Sequence, residues 1–328
     1  MTALYDVAAI GNAIVDVLAS ADDAFLAAEG LSKGSMQLVD EARAHDLYGR
    51  MAAGVEASGG SAANTIAGVA SFGGRALFVG KVATDALGDV FTHDIRAIGA
   101  GFDTDPLSGG PATGRCLVNV TPDGERTMCT FLGAAVRLTP ADVTPRAIAD
   151  AEILYLEGYL FDPDEARAAF AKAAAAARAA GRTIALSLSD AFVVERHRAG
   201  LLDFIDAEVD VLFANEAEIT ALFETDFDAA LAAVRGRVKT AAVTRGAQGS
   251  VILANGSSIE VAAEPAIRLV DTTGAGDQYA AGFLVGLAAG RPLDICGRLG
   301  SIAAAEVISH FGPRPQTRLK DLTAARGL

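Results

Sequence analysis

Asp271-Thr272-Thr273-Gly274-Ala275-Gly276-Asp277 runs directly into the helical pattern QYAAGFLVGLAAG at 278–290. Glycines at a helix start let backbone N–H groups converge on one point, and the helix dipole makes that point positive. The result is an anion site that needs no side-chain charge. Asp277 falls in the first turn, beside the anion. A carboxylate there can accept a proton from an attacking hydroxyl during phosphoryl transfer. Taken alone, the same residues also fit a plain glycine turn with a first-turn Asp favoured by the dipole.

Working back from this motif, short apolar runs alternate with longer helical patterns. Tyr5–Ile10, Ala76–Val82, Ile153–Leu156, Thr183–Leu188, Val209–Phe213 and Thr240–Thr244 read as strands. Ser61–Ser71, Leu87–Ile98, Pro163–Ala180, Val194–Asp206 and Glu216–Phe223 read as helices, and two more follow at Gly274–Ala289 and Leu293–Ser309. This alternation predicts an α/β fold, a mainly parallel sheet with helices on both faces. The Ala-rich run Ala166–Ala180 reads as a surface helix without chemistry.

Two regions break the pattern. Ile14–Ala19 and Met36–Val39 are short strand-like pieces, and Arg115–Thr121 and Arg126–Leu132 flank the turn sequence Pro122-Asp123-Gly124-Glu125. Together they predict a small β-sheet lid, residues 14–39 and 113–133, inserted into a large domain of residues 1–13, 40–112 and 134–328.

Two further motifs precede helices or follow strands. Gly59-Gly60-Ser61-Ala62-Ala63-Asn64 leads into a small-residue helix, where a ligand can approach the backbone and Asn64 offers a donor and an acceptor to a hydroxyl. Ordinary capping and close helix packing explain it equally. Gly11-Asn12-Ala13-Ile14-Val15-Asp16 follows the first strand, at the end where open α/β sheets place ligands. Asn12 and Asp16 suit a vicinal diol there, or are a loop Asn and a solvated Asp.

Composition narrows the partners. The chain has 328 residues, 51% hydrophobic, with a formal net charge of −14. A nucleic acid would be repelled, and no Lys/Arg cluster offsets that. Cys116, Cys129 and Cys296 have no CxxC spacing and read as buried reduced thiols. His45, His93, His197 and His310 lack metal spacing. The N-terminus has no basic n-region and carries Asp6 and Asp16, so it does not read as a signal peptide. Tyr279–Gly290 is too short to span a bilayer. These features predict a soluble cytoplasmic protein that binds neither nucleic acid nor membrane. GxxxxGK[ST] is absent, as is GxGxxG after the first strand, which excludes a P-loop enzyme and disfavours a dinucleotide dehydrogenase.

GGSAANTIAGVASFGGRALFVGKVATDALGDVF and DTTGAGDQYAAGFLVGLAAG resemble the N- and C-terminal signatures of the PfkB (ribokinase-like) carbohydrate and nucleoside kinases, and the likeness runs essentially the whole length. It implies a three-layer α/β/α sandwich with a small β lid, and ATP-dependent phosphorylation of a primary hydroxyl with Mg²⁺. Asp277 then corresponds to the catalytic base, with Gly274, Ala275 and Gly276 as the anion hole. Asn215-Glu216-Ala217-Glu218 is similar to the family's NxxE motif, in which Asn215 and Glu218 organise the magnesium through its waters. Thr244-Arg245-Gly246, with Thr273, is similar to the segments beside the ATP phosphates.

Gly11-Asn12-x-x-x-Asp16, Thr113-Gly114-Arg115-Cys116, 186–192 and 209–216 resemble the adenosine kinase branch of that family. By that likeness Asn12, Asp16, Gly60, Ser61 and Asn64 hold the ribose. Gln37, Cys116, Met128, Thr130 and Tyr159 surround the base, and Arg126 moves to the phosphates as the lid closes. The implied partner is a small molecule, a nucleoside or, as the alternative, a sugar such as ribose or fructose. The likeness leaves open a monovalent cation (K⁺) and a homodimer through the lid. Gln278, Tyr159, Ser187, Asp190 and the segment His310–Pro315 depart from the adenosine kinase pattern.

Overall fold

The computed structural model describes residues 3–328. Among the described residues, thirteen strands form two sheets. The larger has the order β13-β12-β11-β10-β9-β8-β1-β5. Its strands are β1 (Tyr5–Ile10), β5 (Ala76–Val79), β8 (Ala151–Glu157), β9 (Thr183–Ser187), β10 (Val211–Asn215), β11 (Thr240–Thr244), β12 (Ser250–Ala254) and β13 (Ser257–Val261). From β5 to β11 every pairing is parallel, and β12 and β13 add an antiparallel edge.

Period-two alternation splits each central strand between two cores. Ala8 and Ile10 of β1 join one, with the helices Asp164–Ala179, Ala191–Glu208 and Glu216–Phe223. Val7 and Ala9 join the other, with Ser61–Ser71, Ala86–Ala97, Ala275–Ala288 and Leu293–Val307. The Ala-rich helix is not merely a surface feature. Ala166, Ala169, Phe170, Ala173, Ala174 and Ala177 are buried, because small side chains let it lie close against the sheet.

The smaller sheet has the order β3-β7-β6-β2-β4, with β2 (Ile14–Ser20), β3 (Met36–Leu38), β4 (Val55–Gly59), β6 (Gly114–Val120) and β7 (Arg126–Phe131). It contains one strand more than expected. β4 pairs antiparallel with β2, outside the expected 14–39 and 113–133. One face packs Val17, Leu117 and Cys129 against Leu26 and Leu47 from its own short helices and Leu31 from the loop between them. The other face carries Ile14, Cys116, Val118 and Met128 and looks toward the end of the large sheet.

Candidate active site

A cavity of about 620 Å³ lies between that face and the C-terminal ends of the parallel strands. This is a normal size for a small-molecule site. Each wall is set by a chain reversal at a strand end.

The first reversal is Gly11–Ala13, between β1 and β2. Asn12 is buried, and its Nδ2 donates to Glu157 Oε1 at 2.7 Å. Its Oδ1 is buried without a protein partner, an acceptor left for a ligand hydroxyl. Four positions on, Asp16 faces the same cavity. Burial pushes its carboxyl up to about 6, although Arg314 and Arg126 pull it down.

The second reversal is Gly60, between β4 and the helix Ser61–Ser71. Its φ is +96°, and a Cβ would stand 2.2 Å from the Asn12 carbonyl, so only glycine fits. The helix then presents Ser61 and Asn64, which hold both oxygens of Asp277. Ser61 Oγ donates to Oδ1 at 2.6 Å and Asn64 Nδ2 donates to Oδ2 at 3.1 Å. Burial nevertheless raises Asp277 to about 6. That value suits a group that must give and take a proton near neutrality.

The third reversal is the glycine loop. Gly274 caps the helix Ala275–Ala288 with φ +78°. Ala275 departs from the expected anion hole, because its N–H donates to the Thr272 carbonyl at 3.2 Å. Among the described residues, the N–H groups of Gly274, Gly276 and Asp277 make no such bond and remain for an anion. Thr273 lines the cavity, and its N–H donates to Asp271 Oδ1 at 3.0 Å.

Asn215 and Glu218 form a reciprocal cap at the start of the helix Glu216–Phe223. Asn215 Nδ2 donates to Glu218 Oε1 at 2.7 Å, and the Glu218 N–H donates to Asn215 Oδ1 at 2.8 Å. Such a cap contributes about 1 kcal/mol. Burial raises Glu218 to about 7, with Asp190 and Asp277 adding to the effect. These carboxylates line one cavity without a lysine among them. No cluster of three metal-ligating side chains exists among the described residues. A donor set this sparse fits Mg²⁺, which keeps its waters and leans on phosphates.

Cys116, Met128, Thr130 and Tyr159 line the cavity with Val118, Leu132 and Val136. Thr130 Oγ1 donates to Cys116 Sγ at 3.3 Å, and burial pushes the Cys116 thiol up to about 12. Gln37 is a correction. Strand alternation turns Met36 and Leu38 of β3 to the cavity and Gln37 to the other face, where its Nε2 donates to Cys129 Sγ at 3.4 Å. Arg126 lines the cavity but is ion-paired with Asp271, and its guanidinium lies 5.8 Å from the Phe311 ring centre. Thr244 and Gly246 lie outside the cavity lining. Thr244 stands beside Asn215 in the β10–β11 register, and its Oγ1 donates to the Ala214 carbonyl at 3.5 Å.

Glu157, Phe192, Arg196 and Arg314 have no counterpart among the expected residues. Glu157 accepts from the Asn12 and Ala62 N–H groups and from Asn12 Nδ2. Phe192, 69% exposed, stands at the mouth with Arg196. Arg314 reaches Asn64 from the C-terminal segment.

With this geometry established, residues 30–318 match the pfkB family carbohydrate kinases. The chain belongs to the pfkB family. Like its relatives, this pfkB kinase is a phosphotransferase acting on hydroxyl groups of small molecules. It is 52% identical to an adenosine kinase from Sinorhizobium meliloti of known crystal structure, with a TM-score of 0.91 over 98% of this chain and 99% of that one. It is 46% identical to a probable sugar kinase from Rhizobium etli CFN 42, with a TM-score of 0.94 over 99% of both chains. An adenosine kinase from Saccharomyces cerevisiae is 26% identical over 93% of this chain and 95% of its own. Kinases of this family use ATP, generally with Mg²⁺. In this pfkB kinase, no helix among the described residues is long and apolar enough to cross a membrane.

Proposed function

We propose that this pfkB kinase phosphorylates the 5′-hydroxyl of adenosine with MgATP, giving AMP and ADP, the chemistry of purine salvage. The observation that carries this reading is the cavity wall. Beside the hydroxyl-binding groups Asn12, Asp16 and Asn64 stands an apolar face of Cys116, Val118, Met128 and Leu132, with Tyr159 on the body opposite. A purine is flat and aromatic, and Tyr159 offers it a ring. A free sugar would leave that face uncovered. The 52% identity to the Sinorhizobium meliloti adenosine kinase supports the same substrate.

In this reading Asn12, Asp16, Gly60 and Asn64 hold the ribose diol. Asp277 takes the proton of the 5′-hydroxyl as its oxygen bonds to the γ-phosphorus. The bond from phosphorus to the bridging oxygen breaks, and ADP leaves with the electron pair. The N–H groups of Gly274 and Gly276 hold the charge on the transferred group. Arg126 leaves Asp271 to join them. Thr244, Gly246 and Thr273 border the nucleotide phosphates. Asn215 and Glu218 would hold Mg²⁺ through its waters, and the ion would supply positive charge against the phosphates.

A base must be deprotonated to work. kcat/KM is therefore expected to fall as pH drops through about 6, where Asp277 titrates. Asp16 lies in the same range, so the acid limb reports both carboxyls together. A profile flat between about pH 5 and 8 would remove Asp277 from the base role.

Coupled ADP release with MgATP tests the substrate, comparing adenosine, inosine, ribose and fructose. Turnover of adenosine with silent sugars is the expected result. Activity on a sugar alone would keep Asp277 and the glycine loop and discard the base pocket. The likeness to the Rhizobium etli probable sugar kinase gives that second reading its weight.

A further inference from the structure

The segment 312–314 is tied into the site by three elements. The Gly312 N–H donates to Asp271 Oδ2 at 3.0 Å. The Pro313 carbonyl accepts from Gln278 Nε2 at 3.0 Å, and that same nitrogen donates to the Asn64 carbonyl at 2.9 Å. These bonds place Arg314. Its Nη1 donates to Ser58 Oγ at 2.6 Å and its Nε to Asn64 Oδ1 at 3.4 Å. Ser58 belongs to β4 of the smaller sheet, and Asn64 to the helix beneath the larger one.

A guanidinium only donates, and a side-chain amide has one acceptor end. With Oδ1 facing Arg314, Asn64 must turn Nδ2 toward Asp277 Oδ2, as observed at 3.1 Å. The same cation is the strongest charge acting on Asp16. Scaffolding does not account for it, because Nη2 is buried without a partner. A neutral side chain of that length would cost less to bury.

We infer that Arg314 is a positioning residue for vicinal-diol recognition, fixing the turn of the Asn64 amide beside the two hydroxyls of the substrate. The inference rests on the substrate reading given above. Its measurable signature is discrimination between ribo- and deoxyribo-substrates.

The test measures kcat and KM separately for the native enzyme, Arg314→Met and Arg314→Lys. Substrates are adenosine, 2′-deoxyadenosine and 3′-deoxyadenosine with MgATP. Melting curves report folding. The native enzyme should favour adenosine strongly. In Arg314→Met, KM for adenosine should rise about tenfold or more, and the preference over both deoxy analogues should collapse by a similar factor. Arg314→Lys keeps the charge but loses the fork. It should recover part of KM without restoring the native preference over the deoxy analogues. Native discrimination in a folded Arg314→Met overturns the inference and leaves the kinase reading standing. If Arg314→Met does not fold, native discrimination in Arg314→Lys overturns it instead. A native enzyme silent on all three nucleosides overturns the nucleoside reading itself, and ribose against 2-deoxyribose then decides the role of Arg314.

Discussion

Asp277→Asn should lower kcat by roughly 10²–10⁴ while KM for the nucleoside changes only a few-fold. The substitution keeps the shape; its single amide oxygen can still accept from Asn64 Nδ2, and its NH2 can donate to Ser61 Oγ, a hydroxyl that can turn to accept, in place of the native contacts of 3.1 and 2.6 Å. It removes the proton acceptor alone. Burial already raises Asp277 to about 6, so the ionised group is held against its preference. Replacing it with a neutral amide should leave the melting temperature equal or higher, as relief of active-site strain commonly does. The pairing of lost turnover with retained stability separates a chemical role from a scaffolding one. Native kcat in the variant would remove Asp277 from the reaction.

Glu157→Ala should have the opposite signature, a large loss of stability that brings substrate binding down with it. Glu157 Oε1 accepts from the Asn12 N–H at 3.2 Å and from Asn12 Nδ2 at 2.7 Å, and Oε2 accepts from the Ala62 N–H at 2.8 Å. Truncation strands three buried donors, at a cost of about 3–5 kcal/mol, as for breaking a buried charged network. For a chain of this size that is a fall in Tm of roughly 5–10 °C. The sign of the pH dependence follows from burial, which raises Glu157 from 4.5 to about 7. A raised acid binds protons more tightly in the folded state. Its contribution is complete below the ordinary value and is lost as pH rises through about 7. The Tm gap between the native protein and Glu157→Ala should therefore narrow from about pH 5 to about pH 8. Equal melting of the two at both pH values would show that the carboxylate is not what joins Asn12 to the helix at Ser61.

The parallel layer was legible because each central strand is a short apolar run between helical patterns. β1 and β11, and the helices Ser61–Ser71 and Glu216–Phe223, fall at the residues their patterns predict. The glycine loop and Asp277 were legible as a local motif, and Asn215 and Glu218 only through the family resemblance. β4 was not, since Val-Glu-Ala-Ser-Gly is short and made mostly of poor strand formers, and it becomes a strand only by pairing with β2. β12 and β13 carry a signal in Asn255-Gly256, a hairpin turn between two short runs. Gln37 shows how a one-residue shift reverses the face of a strand. Glu157 and Arg314 were illegible for a different reason. Their partners lie 145 and 250 residues away, and no local pattern announces a contact of that separation.

The two sheets are joined by very short links. Three residues, Gly11–Ala13, separate β1 from β2, and Gly60 alone separates β4 from the helix at Ser61. Those links are also where Asn12, Gly60 and Ser61 line the cavity. Any swing of the smaller sheet must be taken up by backbone torsions at these same residues. The hinge and the grip are then one set of atoms. A ligand held there stiffens the joint it sits on, and the joint cannot flex without loosening the ligand. Residence time and the lifetime of the shut form become a single clock.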